Sequence, residues 1–535
     1  MAILGRLFHI QILQSEQWRV LAQGQQRFFV PIKKERGEIF INNGETLIPL
    51  AVNKKWQLVY ISPAEINKNT KNKEEIAETL GKILNIDKES ILEKIENSEG
   101  LYQLVKNKLT QREIEDIKKV NLQGVYLGKE ILRYYPQETL ASHVIGFVGG
   151  KSLGQYGIEE YYNDFLEGLK NPRSIKKSAG LIEKGPDIVL TLDYNIQFMA
   201  EKLLKEAKEE LDIREGTIIV GDPNSGKIIA LANFPSFNPN QYSKEKDLTI
   251  FQNSAIQKLF EPGSVFKPIT MAAALDLGKI TPQTKYVDKG FVKIGGYKIY
   301  NYGKRVWGER TMTEVLEKSI NTGAIFAERQ IGNKVFLDYA EKFGLFEPTG
   351  IDLQGEVFSA NSNLKKGYEV NFATASFGQG IEITPIQLFR AISVIANGGK
   401  LIKPYLVKEF NQNNQNTKRI ISQKTASQLT AMMVSVIENG FGKSARIPGY
   451  YVAGKTGTAQ ISWSALGVNK PGYSQETVQT FVGFAPAFDP KLLIVVKLDN
   501  PKTKTSEYSA APIFKKLANY IIDYWQIPPD YQEEK

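Results

Sequence analysis

The sequence predicts an α+β protein in two parts. Residues 1–190 are predicted to form an elongated α+β platform, residues 191–527 an antiparallel sheet flanked by helices with a helical subdomain, and residues 528–535 a short tail. Short apolar runs bounded by turn residues are typical of strands, and apolar residues three and four positions apart are typical of helices with one buried face. A chain of 535 residues is also long enough to hold more than one core.

The platform is predicted from strand-like runs and one charged stretch. The strand-like runs are Phe28–Ile32 and Trp56–Tyr60, and the charged stretch extends from about Lys71 to Lys119. Lysine and glutamate dominate this stretch, so we interpret it as helices with solvated faces; a small partner-binding head is the alternative. The basic, glycine-containing segment from Lys170 to Gly185 is predicted to be a linker.

The second part begins and ends with a helix that has one apolar face. The first is predicted over Tyr194–Leu211 with Asp193 as its N-cap, and the last over Ala511–Trp525. The strands of the sheet are predicted at Thr217–Val220, Ile228–Ala232, Val452–Lys455, Val478–Phe484 and Leu492–Leu498. We expect both helices on one face of the sheet, the helical subdomain on the other, and an active site between the sheet and that subdomain.

Composition excludes several kinds of site. The chain has no cysteine, which excludes disulfides and thiolate metal ligands, and it has two histidines, His9 and His143. The segment around His143 favours a structural role over a Ser-His-Asp triad, and we expect neither a metal nor a cofactor. The net charge of +10 comes from scattered lysines without a nucleic-acid-binding motif, so an anionic wall polymer or a membrane surface explains it equally well.

Three short motifs in a fixed order carry the chemistry. They are Ser264-Val265-Phe266-Lys267, Ser319-Ile320-Asn321 and Lys455-Thr456-Gly457-Thr458. Together they supply a nucleophile, a base, a proton relay and an anion-binding strand. Each motif alone is weak evidence, because S-x-x-K also begins at Ser174, Ser243 and Ser362 and is usually a solvated helix face or a loop. The order, the spacing and the local context make the set significant.

Ser264 lies at a predicted helix start. Glu261-Pro262-Gly263 interrupts any preceding element, and Ile269–Leu277 is typical of an apolar helix. A separation of three residues places Ser264 and Lys267 on the same helix face. An amine whose pKa is lowered by burial or by a neighbouring cation can take the proton of a serine hydroxyl, so we predict Ser264 as nucleophile and Lys267 as base. A serine N-cap beside a surface lysine is the alternative.

Ser319 and Asn321 lie between two predicted helices, Thr313–Lys318 and Gly323–Gln330. A hydroxyl in this junction can pass a proton to a leaving amine, and the amide of Asn321 can hold a substrate amide. Ordinary helix capping by both residues is the alternative.

The third motif follows the strand-like run Tyr450–Gly454. On a strand edge, Lys and Thr side chains can bind a carboxylate, and Gly457 permits close approach of the backbone. The N–H of Thr458 can join that of Ser264 in an oxyanion hole. A phosphate-binding loop does not fit, because its glycine spacing is absent and no helix follows Thr456.

The set of motifs resembles that of class B penicillin-binding proteins, the monofunctional transpeptidases. The likeness covers nearly the whole chain and is closest from about residue 190 onward. Further matching runs are Tyr156–Glu159, Thr191–Asp193, Phe260–Ser264, Phe377–Gly380, Val452–Gln460 and Phe481–Pro486. The runs around Lys455 and Phe481 are more similar to the septum-building branch than to the elongation branch.

One segment departs from the family pattern. Arg36–Gly44 matches the segment with which the family usually begins its extracytoplasmic part, but Ile41-Asn42 replaces the family's Asp-Arg pair. The replacement puts a salt-bridged role for this segment in doubt.

The resemblance implies a fold and an activity. Residues 191–527 would be the transpeptidase domain, and residues 1–190 a dimerisation-like or pedestal domain. Ser264 would attack the penultimate D-alanine of a D-Ala-D-Ala stem peptide of peptidoglycan, with Ser319 as proton relay to the leaving D-alanine. An amine on a neighbouring peptidoglycan strand would then take the acyl group and so form the cross-link. The reaction with a β-lactam would instead stop at the acyl-enzyme. The substrate-binding residues would be Asn321, Lys455, Thr456, Gly457 and Thr458.

The resemblance also implies partners and a location. The partners would be a membrane glycosyltransferase of the SEDS type and other wall-synthesis proteins, at the extracytoplasmic face of a bacterial membrane. No run approaches the roughly 20 apolar residues of a membrane helix, and no secretion signal is visible. The segment from Ala2 to Gln11 looks like the family's exit from its N-terminal anchor, so we expect an anchoring helix that this chain lacks.

Two alternatives remain for the function. One is a D,D-carboxypeptidase or β-lactamase on the same site; a β-lactamase needs a base for deacylation, and Glu356…Asn361 has the wrong spacing for it. The other is a non-catalytic penicillin-sensing scaffold that acylates without turnover.

Overall fold

A computed structural model describes most of the chain, in two compact units that we treat one at a time. The described residues are 6, 35–68, 72–150, 152–169, 184–410 and 417–532. The predicted strand at Phe28–Ile32, the segment from Ala2 to Gln11, all but the end of the predicted linker and the last three residues of the tail lie outside the described residues. The boundaries 190 and 527 stay predictions.

The helices and strands are given in chain order. Up to residue 193 they are β1 (Ile39–Asn42), β2 (Leu47–Ile61), α1 (Pro63–Lys68), α2 (Lys73–Leu84), α3 (Lys88–Glu96), β3 (Gln103–Lys106), α4 (Gln111–Val120), β4 (Val125–Tyr134), α5 (Ser142–Ile145), β5 (Phe147–Val148), β6 (Gly154–Gln155), α6 (Gly157–Tyr161), α7 (Asn163–Leu166) and β7 (Ile188–Asp193). From residue 194 they are α8 (Tyr194–Leu211), β8 (Glu215–Gly221), β9 (Ile228–Phe234), α9 (Ser254–Gln257), α10 (Lys267–Asp276), β10 (Lys285–Asp288), β11 (Phe291–Ile294), β12 (Tyr297–Tyr300), β13 (Gly308–Thr311), α11 (Met312–Glu317), α12 (Asn321–Ile331), α13 (Asn333–Lys342), α14 (Ser362–Lys365), α15 (Glu369–Ala375), α16 (Pro385–Ala396), α17 (Gln423–Asn439), β14 (Ala453–Ser462), β15 (Tyr473–Ala485), β16 (Leu492–Asp499) and α18 (Ala510–Tyr524).

The first unit contains Ala51–Pro136 together with the flanking segments up to Glu38 and from Asp164 to Pro186. Here β2 pairs antiparallel with both β3 and β4. The charged stretch forms three helices, α2, α3 and α4, with β3 among them, because isoleucine and leucine recur at helical spacing between the charges. Residues such as Leu80, Ile91 and Ile114 pack with Val59 of β2 in one core, so the interpretation of this stretch as helices with solvated faces is confirmed.

The altered segment near residue 36 does form ion pairs. Within the first unit, Arg36 lies 3.4 Å from the carboxylate of Glu167, and Lys184 lies 3.2 Å from that of Glu38. In the second unit, β1 pairs parallel with β7, and the side chain of Asn42 accepts a hydrogen bond from the N–H of Gly44. Ion pairs are therefore present at the start of this segment, at Arg36 and Glu38, whereas the doubt about a salt-bridged role stays a prediction for the replaced Ile41-Asn42 pair.

The second unit is built on a five-stranded antiparallel sheet in the order β14-β15-β16-β8-β9. Helices α8 and α18 pack together against one face, where Ile218 and Val496 meet Phe514 in the core. Helix α8 begins where predicted, since the Asp193 carboxylate accepts from the N–H groups of Asn195 and Ile196. The predicted first and last helices and their common face are confirmed.

The helical subdomain covers the opposite face. Successive strand residues point to opposite faces, so Gly221 faces away from the α18 side and packs on Phe389 of α16, a helix that is buried along its whole length. Helices α10 and α17 also pack in this layer, and α17 contacts β14. None of the helices in the described part of the chain is long and apolar enough to cross a bilayer.

Three strands are much longer than predicted: β2 begins at Leu47 and not at Trp56, β15 begins at Tyr473 and not at Val478, and β14 extends far beyond its predicted end. The predicted strand ended at Lys455, with the remaining motif residues beyond it, whereas β14 runs from Ala453 to Ser462. The run Lys455–Gln460 has a weak strand pattern, but it pairs residue by residue with β15, for example Thr456 with Phe481. Pairing with a neighbour, which a single segment does not reveal, sets the strand length.

Candidate active site

The first motif forms the start of α10. Residues Gly263–Phe266 make one 3-10 turn, and α10 continues from Lys267, two residues before the predicted helix start. The Nζ atom of Lys267 lies 2.7 Å from the Oγ atom of Ser264. The predicted pairing of these two side chains on one face is therefore present.

Lys267 is fully buried among oxygen atoms. Its Nζ donates to the carbonyl of Ser319 at 2.9 Å and to the Oδ1 atom of Asn321 at 2.8 Å. Burial, and secondly the positive charge of Lys455, hold the pKa of Lys267 well below its usual value. A neutral amine with its two N–H groups donated in this way keeps its lone pair for the Ser264 hydroxyl.

The second motif lies in the junction between α11 and α12. Ser319 has a φ of 53°, in the left-handed region that non-glycine residues rarely adopt. Its Oγ atom lies 3.2 Å from the Nζ atom of Lys267 and accepts from the Nζ atom of Lys455 at 2.9 Å. Once Lys267 has taken the Ser264 proton, its third N–H can donate to this oxygen, and the Ser319 hydroxyl can pass its own proton to a leaving amine, as the proton-relay prediction requires.

The third motif lies within the edge strand β14. Lys455 is fully buried, and its Nζ donates to Ser319 and, at 3.0 Å, to the carbonyl of Thr456. Burial lowers the pKa of Lys455 to about 7. The Lys455 ammonium therefore lies against Ser319, behind the more exposed hydroxyls of the cleft.

The backbone of β14 packs directly against the serine turn. A Cβ atom at Gly457 would lie 2.9 Å from the Cγ1 atom of Val265 and 3.0 Å from the carbonyl oxygen of Pro262, so this approach requires glycine. Thr458 is partly exposed, and its hydroxyl accepts from the N–H of Ser506 at 3.2 Å. The structure thus brings all eight predicted site residues into one cleft.

An acid that was not predicted from the sequence, Glu261, lies beside the serine turn. The carboxylate of Glu261 accepts from the hydroxyl of Tyr473 at 3.1 Å and from the N–H of Gly380 at 3.1 Å. Burial, with a smaller contribution from the charge of Glu382, raises the pKa of Glu261 to about 7. Its place just before Pro262-Gly263-Ser264 was the available signal, but nothing in the sequence pointed to its partners.

The competing residues do not assemble a second site. Lys246 and Lys365 of the other S-x-x-K runs are solvent-exposed, and Ser174 lies outside the described residues. The Glu356 carboxylate accepts from the N–H groups of Thr349 and Gly350, a loop-closing role. Over the ranges that the structure describes, no group of three or more acidic or histidine side chains is arranged to hold a metal ion.

His143 has the structural role predicted for it. The imidazole is buried, its Nε2 lies 2.9 Å from the carbonyl oxygen of Ile250, and its ring packs edge-on against Phe237. Burial lowers the pKa of His143 to about 4, so the ring is neutral at pH 7 and its Nε2–H donates to Ile250.

Two protein-family models match the chain. The model described as the penicillin binding protein transpeptidase domain matches residues 216–519, and that of the penicillin-binding protein dimerisation domain matches residues 31–182. Among curated proteins, the chain is 32% identical to Stage V sporulation protein D of Bacillus subtilis, covering 93% of this chain and 79% of that protein. It is 31% identical to the peptidoglycan D,D-transpeptidase FtsI of Buchnera aphidicola, covering 99% and 94%.

Solved structures share the fold. Penicillin binding protein 3 of Mycobacterium tuberculosis, in its apo form, matches with a TM-score of 0.67 and 29% identity over 75% of this chain and 92% of that one. The same protein complexed with aztreonam matches with a TM-score of 0.70 and 24% identity over 93% and 98%. With the three motifs assembled in one cleft and both family domains present in order, the chain belongs to the class B penicillin-binding protein family.

Proposed function

We propose that this protein is a peptidoglycan D,D-transpeptidase that acts through an acyl-enzyme on Ser264. The observation that carries the proposal is the 2.7 Å contact of Ser264 Oγ with the buried amine of Lys267. A buried amine with a lowered pKa is a base at neutral pH, and a base in contact with the hydroxyl is what makes serine a nucleophile. Relatives that are named peptidoglycan D,D-transpeptidases support the choice of substrate.

In the acylation step, Lys267 takes the proton of the Ser264 hydroxyl. The serine oxygen bonds to the carbonyl carbon of the penultimate D-alanine of the stem peptide, and the C–N bond to the last D-alanine then breaks. The leaving amine receives its proton from Ser319, which is replenished from Lys267 through their 3.2 Å contact. The amine of a neighbouring stem peptide next attacks the carbonyl carbon of the ester. The bond from that carbon to the Ser264 oxygen breaks, the serine oxygen takes the proton that the amine loses, and the new amide is the cross-link.

Binding groups surround this chemistry. The backbone N–H groups of Ser264 and Thr458 are assigned to the oxyanion, because Gly263 lies against Thr458. Lys455, Thr456 and Thr458 are assigned to the terminal carboxylate, with Gly457 allowing the close approach. A bound carboxylate would raise the pKa of Lys455 from about 7 and so keep it charged.

Three rival functions predict different products. A β-lactamase requires a base that activates water for deacylation, but the Glu356 carboxylate is already taken by backbone N–H groups. A D,D-carboxypeptidase would release D-alanine without forming cross-links, and a sensing scaffold would acylate once. Cross-linked product separates the proposal from all three.

The test is covalent labelling by a fluorescent penicillin, read by mass spectrometry, followed by a cross-linking assay on stem peptides with an added acceptor amine. We expect the adduct on Ser264 and cross-linked product from the parent protein. Ser264→Ala should abolish both without loss of fold, since it removes one partly exposed hydroxyl and no core volume. Ser362→Ala, in an exposed S-x-x-K run, is the matched control and should label normally; an adduct on another serine would overturn the assignment.

Partners and location are part of the proposal. We assign a membrane glycosyltransferase of the SEDS type as partner, the extracytoplasmic face of the cell membrane as location, and the septum-building branch as the cellular role. These follow from the family resemblance and from relatives that include FtsI of Buchnera aphidicola. A tagged chain that is placed behind a membrane anchor and accumulates at sites other than the septum would contradict the branch assignment.

A further inference from the structure

Behind the second motif lies a buried carboxylate that the reaction steps do not use. Asp288, the last residue of β10, is 2% exposed. Its Oδ1 accepts from the Gly290 N–H at 2.9 Å and from the Thr322 hydroxyl at 2.7 Å, and its Oδ2 accepts from the Trp307 N–H at 2.8 Å. These partners are all donors, so the site suits an ionised carboxylate, which only accepts.

A fourth donor to Asp288 extends the network towards the cleft. The side-chain amide of Asn301, also buried, donates to both oxygens of Asp288, at 3.0 and 2.9 Å. With the amide nitrogen of Asn301 turned to Asp288, the Oδ1 atom of Asn301 accepts from the backbone N–H of Thr322 at 3.1 Å. Asp288 thus fixes the orientation of the Asn301 amide, and Asn301 in turn holds the backbone of Thr322, the residue after Asn321.

The backbone next to Asn301 holds the side chain of Asn321. The carbonyl of Tyr300 accepts from the Nδ2 atom of Asn321 at 3.1 Å. This contact leaves the Oδ1 atom of Asn321 facing Lys267 Nζ at 2.8 Å. A rotated amide would bring its NH2 group against the amine, two donors face to face, and would displace the base from Ser264.

We propose that Asp288 and Asn301 are positioning residues for acylation, which orient the Asn321 amide and through it hold the amine of Lys267 against Ser264. The inference rests on the proposed function, because it concerns the acylation step at that site. The two residues touch no substrate. They act through Thr322 and Tyr300 on the side chain of Asn321, which is the group assigned to the substrate.

The first test is Asp288→Asn, which places an NH2 group among donors while keeping the side-chain volume. We expect the acylation rate constant with a fluorescent penicillin to fall on the order of 10- to 100-fold in the folded protein, since a displacement of about 1 Å at a reacting group can have such an effect.

Asp352→Asn is the matched control. Asp352 is also buried and accepts from two backbone N–H groups, those of Leu406 and Val407, but it touches no motif residue. Its acylation rate should stay within about twofold of the parent's, whatever its melting temperature. A rate for Asp288→Asn equal to that of the control would overturn the proposal.

A double-mutant cycle separates positioning from general damage. If Asp288 acts through Asn321, then Asp288→Asn should have little further effect on acylation once Asn321→Ala has removed the amide. An equal fold-loss in both backgrounds would mean that Asp288 supports the fold alone, and the positioning role would be wrong.

A second pair of variants serves if Asp288→Asn does not fold. Thr322→Val removes the hydroxyl that donates to Asp288, and Thr322→Ser keeps it. Slower acylation in Thr322→Val than in Thr322→Ser supports the proposal, and equal rates contradict it. Labelling of the parent at Ser264 in the same experiment shows whether the proposed function itself holds, so the two failures are distinguishable.

Discussion

Lys267 is surrounded by oxygen atoms and one other amine, with no carboxylate among its contacts in the described part of the chain. No opposite charge therefore offsets the loss of hydration that the ammonium form suffers on burial, and the pKa of Lys267 falls. The same burial would be unfavourable for an ordinary surface lysine. In this position it suits the base that we propose next to Ser264.

We predict that Lys267→Ala slows acylation far more than it weakens initial binding, because it removes a proton transfer that is typically worth about 10²–10⁴-fold. The parent should acylate more slowly as the pH falls through the lowered pKa of Lys267, since only the neutral amine accepts the proton. Lys267→Arg is the control, because a guanidinium is never neutral in this range. Stopped-flow acylation against pH measures both effects; comparable rates for mutant and parent would assign the base to another group.

The residues of the three motifs could be predicted because each motif is local in sequence and carries its own helix or strand signal. Glu261 and Asp288 could not be predicted in this way. Their roles depend on Tyr473 and on Trp307 and Thr322, which approach them only through the fold. The sequence around a carboxylate does not reveal which hydrogen-bond donors will surround it in the fold.

At the scale of elements, α8 shows how much a short sequence can determine. Its predicted bounds match the structure because Asp193 supplies the N-cap at one end and the apolar spacing stops at Leu211 at the other. The length of β14 was missed, because Gly457 does not favour a strand and the pairing with β15 decides how far the strand continues beyond Lys455.

We predict that Asp193→Ala lowers the free energy of unfolding by about 0.5–2 kcal/mol, because the N–H groups of Asn195 and Ile196 lose their acceptor. Asp193→Asn keeps an acceptor oxygen and should have a smaller effect. Urea denaturation followed by circular dichroism compares the two variants; equal losses for both would show that charge, through the contact with Tyr524, matters more than the cap.

At the scale of the whole molecule, two buried lysines make the stability depend on pH. The pKa of Lys455 is about 7 in the folded protein and near 10.5 when exposed, so the unfolded chain binds more protons between these values. The contribution of Lys455 to stability therefore rises with pH through this window. Burial also raises the pKa values of Glu261 and Glu328 to about 7, so these two groups change stability mainly below this window. Within the window, the pH dependence of stability comes from the lysines.

We predict that the melting temperature rises between about pH 7 and pH 9.5, and that Lys455→Met flattens the rise by removing the titrating group at similar volume. Lys443→Met, a change at an exposed lysine, is the control and should keep the slope. Scanning calorimetry across this range decides the point. A parent whose melting temperature falls over the window would show that the two amines are not held as the structure has them.

Backbone atoms approach the serine turn, Gly263–Phe266, so closely that few substitutions are tolerated there under selection. Gly457 approaches Pro262 and Val265, and Gly378 approaches Gly263, so closely that an added methyl group would collide at either place. No single substitution there can reshape the cleft and keep the turn. A lineage exposed to an acylating inhibitor would therefore accumulate its changes first at exposed neighbours such as Tyr300 and Tyr473, and resistance would arise in small steps around an unchanged wall.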